Sequence, residues 1–464
     1  MIRSSILFLA LLIVLTGCGE ALSDLDAGQQ APPARPDLHK LAEESNGKFR
    51  HAHLFEEAVT SDQAGKFGDG TRVNLVFSLD KLGILERYGI FERYAILERY
   101  SLLERYSLLE RYQYEEVFDG FAVSFTVNDP NDESDFVDLV QAMMADEDIL
   151  WFEPDFALSI PEGTGESTLN AQQVPWSVSM MGGQTSHTMS GDGSGEVPVD
   201  VYVLDTGVAG ADINDSTDDL NIVESMDFRE NMSDAADYDG HGTHIAGIIA
   251  ARDDADGIVG IAPGARIHNF KVLGDDGTAD VSVVLAAMEE VVARKKASPS
   301  TPMVVNMSLG EDLDSPEETA LDEAVEAALA AGVVIVAAAG NAAKDASNVT
   351  PARVSGVIAV GSFDMVGQYS SFSNFGPVVD ILAPGSDIVS LSRTGSGAIK
   401  TLSGTSMATG HVSGAAALIV MHNPTFTSAD VLAELLAKSG SLSATPPNTT
   451  NRTVWVGAGS PPMH

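Results

Sequence analysis

Three successive stretches decide the fold: MVVNM (Met303 to Met307), PEETALDEAVEAALAA (Pro316 to Ala331) and VVIVAAA (Val333 to Ala339). The third is a continuous apolar run of strand length, and the first is apolar except at Asn306. The middle one is rich in the good helix formers Ala, Leu and Glu. A strand that is apolar without alternation is buried on both faces. Strand, helix and strand in this order predict a parallel pair joined by a crossover helix. The pattern extends both ways along the chain. Pro198 to Leu204 reads as another buried strand, while His244 to Arg252 and Met407 to His422 read as helices. The predicted class is α/β, with a mostly parallel sheet between helical layers.

Three motifs sit at the ends of these elements. Val203-Leu204-Asp205-Thr206-Gly207 ends a strand with a carboxylate, and Asp239-Gly240-His241-Gly242-Thr243-His244 leads into a helix. Gly404-Thr405-Ser406-Met407-Ala408 places a serine at a glycine-flanked turn before another helix. Taken singly, each has an ordinary reading as a turn, loop or helix cap. In the chain order Asp, His, Ser they resemble the subtilase family of serine peptidases, over residues 171 to about 425.

That resemblance implies a three-layer subtilisin-like fold and a triad of Asp205, His241 and Ser406. His244, one turn further on, is expected to be structural. Asn341, which follows the strand-ending Ala337-Ala338-Ala339-Gly340, takes the place of the oxyanion-hole amide. Ser308, Leu309 and Gly310 resemble the strand that pairs with substrate, with Ala338, Ala339 and Gly340 as the opposite wall. No acid is evident there, so large apolar side chains are expected before the scissile bond. Structural calcium is implied at Gln172 and Asp254, with a further carboxylate aligning near Asn214, which Asp212 and Asp215 flank, and again at Asp380 with the carbonyls of Ser355 and Val357. Gly410 stands where the family usually has proline, which predicts a softer placement of Ser406.

The region before residue 171 has its own organisation. Residues 1–18 read as a signal peptide: Arg3, an apolar run from Ile6 to Leu15, then Leu15-Thr16-Gly17-Cys18. This resembles the bacterial lipobox, which implies a lipid on Cys18 and an anchored precursor, with the outer membrane favoured because Gly19 is not aspartate. Residues 19–70 are polar with scattered proline and read as a tether. Residues 71–170 read as a small α+β unit. Val73, Leu75, Phe77 and Leu79 alternate as a strand, Phe118 to Val127 is another, Phe136 to Met144 has helical spacing, and strand character returns from Ile149 to Ile160. This unit resembles the ferredoxin-like propeptide of subtilases, an intramolecular inhibitor and folding chaperone. The match at Ala171 implies cleavage near Asn170, which would free the protease from a lipid on Cys18.

Inside this unit five hexads, GILERY, GIFERY, AILERY, SLLERY and SLLERY, run from Gly83 to Tyr112. Six residues advance a helix by ~600°, so their apolar positions spiral round it. Propensity favours helix over 83–112, as an insertion. The catalytic domain is expected over 171–440, followed by a proline-rich tail over 441–464 with one short strand at Thr453 to Val456.

Bulk composition narrows the partners. With 67 acidic and 26 basic residues the net charge is −41, which disfavours nucleic acid and anionic lipid. Cys18 is the only cysteine, so no intrachain disulfide is possible. A monomer acting on polypeptides is expected. Two alternatives stay open at this point: a subtilase-like scaffold that binds peptides without cutting, and a processing protease with one narrow target.

Overall fold

The structure, a computed structural model, describes residues 44–51, 72–79, 103, 106, 108–126, 134–160, 164–169, 171–209, 219–230, 232–255, 257–395 and 397–461. The chain divides into Met1–Asp37, which lies outside the described residues, and Leu38–His464. The expected signal peptide, Cys18 and the hexads up to residue 102 are therefore outside them too.

The second unit opens with a four-stranded antiparallel sheet: β1 (Arg72–Leu79), β2 (Leu109–Tyr114), β3 (Gly120–Thr126) and β4 (Ile149–Pro154), in the order β2-β3-β1-β4. Helix α1 (Ser134–Ala145) packs on one face, where Leu75, Phe77, Phe121 and Val123 meet Val137, Val140 and Met143. The residues between them in sequence, Val76 and Ala122, point the other way with Tyr114 and Trp151 and enter the core of the larger layer system. The strand period of two thus feeds two cores from one sheet.

The last hexad corrects the helical expectation. Leu109 to Tyr112 lie in β2, and the pairing with β3 shifts register between Glu110 and Tyr112. A bulge at this point releases Arg111 from the ladder and re-aims it. Local helix propensity loses here to the edge of a ready sheet and a waiting ion pair.

Two short strands follow, β5 (Ala157–Ser159) and β6 (Thr164–Thr168), then the helical turn α2 (Trp176–Met180). The main layer is built from β7 (Asp200–Asp205), β8 (Asn221–Asp227), α3 (His241–Ala250), β9 (Arg266–Lys271), β10 (Thr278–Asp280), α4 (Val281–Ala297), β11 (Met303–Met307), β12 (Glu311–Asp312) and α5 (Ala320–Ala331). It continues with β13 (Val334–Ala338), β14 (Val349–Thr350), β15 (Ile358–Phe363), β16 (Ile381–Pro384), β17 (Ile388–Leu391), β18 (Ala398–Leu402), α6 (Thr405–His422), α7 (Ser428–Lys438), β19 (Gly440–Ser441) and β20 (Arg452–Thr453).

Nine of these strands form one sheet in the order β19-β20-β16-β15-β13-β11-β7-β9-β8, parallel except at β19–β20. Helices α4 and α5 cover one face, α3 and α6 the other, as the α/β reading requires. The predicted helix from Pro316 starts at Ala320, because Thr319 and Asp322 close a reciprocal capping box there. From β7 the chain goes one way to β8 and β9 and the other way to β11. The reversal leaves a crevice at the carboxyl ends of β7 and β11, where open α/β sheets bind ligands. Among the described residues no helix is long and apolar enough to cross a membrane.

Candidate active site

Asp205 is the last residue of β7 and is fully buried. His241 is the first residue of α3, and its Nδ1–H donates to Asp205 Oδ1 at 2.8 Å. Two glycines make this approach possible. Gly240, the N-cap, has φ +106°, which a side chain rarely adopts. At Gly242 a Cβ would lie 2.0 Å from the Gly207 carbonyl and 3.1 Å from the Asp205 side chain, so only glycine lets the helix start this close. A buried carboxylate that the sequence reading passed over, Asp237, fixes both segments. It accepts from Thr206 Oγ1 at 2.9 Å, Gly240 N–H at 2.7 Å and Thr243 N–H at 2.9 Å.

Burial works against the charged form of His241, but the facing Asp205 outweighs it and the net displacement of its pKa is upward. Nε2 of the ring is buried and carries no hydrogen bond. His244 is different. Its Nε2 bonds the Ile388 and Lys400 carbonyls at 3.0 and 3.1 Å, and burial lowers its pKa to about 3. It ties α3 to β17 and β18.

Ser406 lies in the first turn of α6. Its Oγ–H donates to the Ser308 carbonyl at 3.2 Å, while Ser308 Oγ–H donates to the Ser406 carbonyl at 2.9 Å. Ser308 therefore positions the serine as well as lining the groove. Gly410 packs inside α6, where a Cβ would come within 3.2 Å of Ile248, so it serves the close α3–α6 contact. Asn341 accepts at Oδ1 from Thr405 N–H at 2.8 Å and Thr405 Oγ1–H at 2.9 Å, which fixes the amide orientation and leaves Nδ2 as the free donor end.

Ser406 and Asn341 line a cavity of about 280 Å³ with Ser308, Leu309, Gly310, Ala338 and Gly340. Ala339, expected on the wall, is buried, and its carbonyl accepts from Asn374 Nδ2 at 2.9 Å. Two acids that the sequence reading did not see, Glu311 and Asp312, also line the cavity. They arrive because β12 pairs with β14, and Asp312 is engaged by Lys344 at 3.3 Å.

The groove beside the cavity contains the chain's own upstream segment. β5 pairs antiparallel with β10, Leu158 opposite Ala279, and Ser159 bridges Gly310 on its other side. Ile160 N–H donates to the Gly277 carbonyl at 3.2 Å, and Ile160 lines the cavity with Ser406. On the far side β6 pairs with β18, Lys400 opposite Glu166. Ala171 onward is fastened elsewhere: Gln172 N–H donates to the Ala255 carbonyl at 2.9 Å and its Nε2 to the Arg252 carbonyl at 3.0 Å.

That same loop bears on metal binding. Gln172 and the Arg252 carbonyl meet in it, and Asp254 belongs to it. Asp219, only 4% exposed, lies against it, since a Cβ on Gly257 would sit 3.1 Å from its carboxylate. The carboxylate expected near Asn214, which Asp212 and Asp215 flank, lies outside the described residues, and Asp219 is a buried acid that the sequence reading did not single out. Oxygen donors of this kind fit a hard cation. At the second position Asp380 accepts from Ala359 N–H at 2.9 Å, and burial pushes its pKa up to about 6. Among the described residues no three acidic, His or Cys side chains cluster as a cage, so carbonyl oxygens would have to complete either site.

Residues 144–456 match the sequence model of the Subtilase family. The chain belongs to this family. An alkaline protease of Alkalihalobacillus alcalophilus is 37% identical over 313 residues, 68% of this chain and 77% of that one. Subtilisin BL of Lederbergia lenta is 39% identical over 276 residues, 59% of this chain and 94% of that one. The crystal structure of a cold-adapted subtilisin-like serine proteinase superposes with a TM-score of 0.51 at 35% identity, covering 61% of this chain and 98% of the other. This subtilase is a subtilisin-like serine endopeptidase with the three-layer fold the motifs implied.

Proposed function

We propose that this subtilase cuts polypeptides through an acyl-enzyme, with Asp205, His241 and Ser406 as its triad. Asp205 holds the His241 tautomer that carries its proton on Nδ1, so that Nε2 is the free base. Rotation of the Ser406 side chain away from the Ser308 carbonyl brings its hydroxyl to Nε2. As Oγ attacks the scissile carbonyl, His241 takes the proton and then delivers it to the leaving amine. Asn341 Nδ2 and the Ser406 N–H receive the oxyanion. Water repeats the sequence and frees the acid. The carrying observation is the 2.8 Å His241–Asp205 hydrogen bond beside a cavity lined by both Ser406 and Asn341.

Substrate then lies as a strand between β10 and Ser308–Gly310, with Leu309, Ala338 and Gly340 around the side chain before the cut. A large apolar residue is favoured there. Lys344 neutralises one of the two acids at the rim, which weakens any selection for basic residues. The open apolar walls favour broad specificity over the narrow processing protease, and the complete set of four site residues weighs against a binding-only scaffold.

Residues 71–160 act as an inhibitory propeptide, and the segment ending at Ile160 sits in the groove as its own first substrate. The first cut then falls between Ile160 and Thr164. A cut near Asn170 is a second, trimming step. Helix α3 has 10 residues, so the loop that holds Gln172 lies about 15 Å from His241 along the helix. Gln172 is held away from Ser406 while those hydrogen bonds last. Export as a lipoprotein through Cys18 and calcium at Gln172, Asp219 and Asp254, and at Asp380, complete the reading.

The test is cleavage of a chromogenic peptide ending in Phe by wild type and Ser406→Ala, with N-terminal sequencing of both. Wild type should turn over and begin between residues 161 and 171, and the variant should lose about 10⁶-fold in kcat and remain uncut. Equal activity in the two proteins would remove Ser406 from the mechanism.

A further inference from the structure

The expected tether over 19–70 contains a segment that is docked. Phe49 is 1% exposed and stacks on Phe152, with ring centroids 4.9 Å apart. Arg50 N–H donates to the Phe152 carbonyl and Phe152 N–H to the Lys48 carbonyl, each at 2.9 Å. The segment thus lies parallel to β4 as a further strand on that edge of the propeptide sheet. Its next two contacts leave the sheet. The Arg50 guanidinium lies 4.3 Å over the Trp151 ring and pairs with Glu323 at 2.7 Å. His51 N–H donates to Glu317 Oε2 at 2.8 Å. Glu317 precedes α5 and Glu323 is in its first turn, so both belong to the protease layer.

The charges explain why an arginine stands there. Glu317, Glu318, Asp322 and Glu323 crowd the start of α5, and Asp322 is already taken by Arg353 at 2.5 Å. Burial raises the pKa of Glu323, and Arg50 is the cation that opposes this. The side chains of Arg50 and Glu323 are only 16% and 23% exposed, so their attraction is partly shielded from solvent.

We propose that residues 44–51 are a strap that clamps the cut propeptide to the protease and so sets how long the enzyme stays inhibited. This rests on the propeptide reading above. Once the bond after the groove segment is cut, residues 157–160 can leave the groove, but the strap holds the inhibitor beside it. An attachment additional to the groove segment and to the Tyr114 and Glu289 contacts on α4 keeps rebinding intramolecular and slows escape without any new contact in the groove.

The experiment uses the full chain. It follows the lag before peptide hydrolysis and the propeptide fragment that co-elutes with the protease, in wild type, Arg50→Ala, Glu323→Gln, and the swap Arg50→Glu with Glu323→Arg. Both single variants should shorten the lag by about tenfold and reach the same final rate, and the swap should restore most of it. Glu323→Gln leaves the propeptide sequence intact, so it carries the test if Arg50→Ala fails to fold. A wild-type lag in Glu323→Gln overturns the strap, as does a swap no slower than the single variants. Wild type that is active at once and never cut overturns the propeptide reading itself, and the strap with it.

Discussion

At the residue scale, two roles separate cleanly in kinetics. Asn341 touches only the oxyanion in the proposed mechanism, and its orientation is fixed by Thr405. Asn341→Ala should therefore lower kcat by about 10²–10³-fold while KM moves little. A large rise in KM with kcat unchanged would place Asn341 in ground-state binding instead. His241 gives the second test. Its pKa lies above the ordinary 6.5 through Asp205, so the imidazolium persists to higher pH and the base is missing below it. The acid limb of kcat/KM should have its midpoint above 6.5, with activity retained on the alkaline side. A midpoint below 6.5 would mean that burial and not Asp205 governs the ring. The three residues of the proposed triad stood out because each sits in a short motif at an element end. Asp237 did not. Nothing in its sequence neighbourhood reveals that its carboxylate is buried and shared by the ends of β7 and α3.

At the element scale, the hexads divide into a part that docks and a part that repeats. Arg111 from the last copy reaches Asp155 at 2.6 Å and Asp280 at 2.9 Å, and Tyr112 Oη–H donates to the Phe228 carbonyl at 3.1 Å. Tyr114 and Glu289 extend the same contact: Tyr114 Oη–H donates to the Ser282 carbonyl, and Glu289 accepts from the N–H groups of Glu115, Glu116 and Val117. Deleting residues 83–100 removes three hexads in whole periods and leaves this set untouched. Self-processing of that deletion should match wild type within about twofold. Arg111→Ala should instead slow it by tenfold or more, because two largely buried carboxylates lose their cation. Equal effects of both changes on the precursor, followed by gel and N-terminal sequencing, would mean that the repeats act through their length. The strands β11 and β13 were legible because burial on both faces writes itself as an apolar run, broken in β11 only at Asn306. The last hexad was misread because helix propensity is local, while its partners, β3 and the Asp155–Asp280 pair, are distant in sequence. The docked segment around Phe49 was missed for the same reason, as one aromatic among polar residues gives no period.

At the scale of the whole molecule, stability has to be found without a covalent staple. One cysteine permits no intrachain bridge, and a net charge of −41 makes the folded chain repel itself. The loop that holds Gln172 lies where this matters most, since it ties the start of the protease layer to the end of α3 through the Arg252 and Ala255 carbonyls. Asp219 adds a buried carboxylate to that junction, and a cation bound there would both neutralise it and fasten the chain. A ligand at a hundred times its Kd contributes about 2.7 kcal/mol. For a domain of this size that corresponds to about 5–10 °C in Tm. Calcium removal by a chelator should lower Tm by that amount, and restoring calcium should recover it. Asp219→Asn should have a Tm close to that of the chelated wild type and respond little to calcium. Asp254→Asn should respond in the same direction. High sodium chloride should also raise the Tm of the chelated protein by screening its acidic surface, but without distinguishing Asp219→Asn from wild type. If calcium raised the Tm of Asp219→Asn as much as that of wild type, the stabilising ion would have to sit elsewhere, with Asp380 the next carboxylate to change.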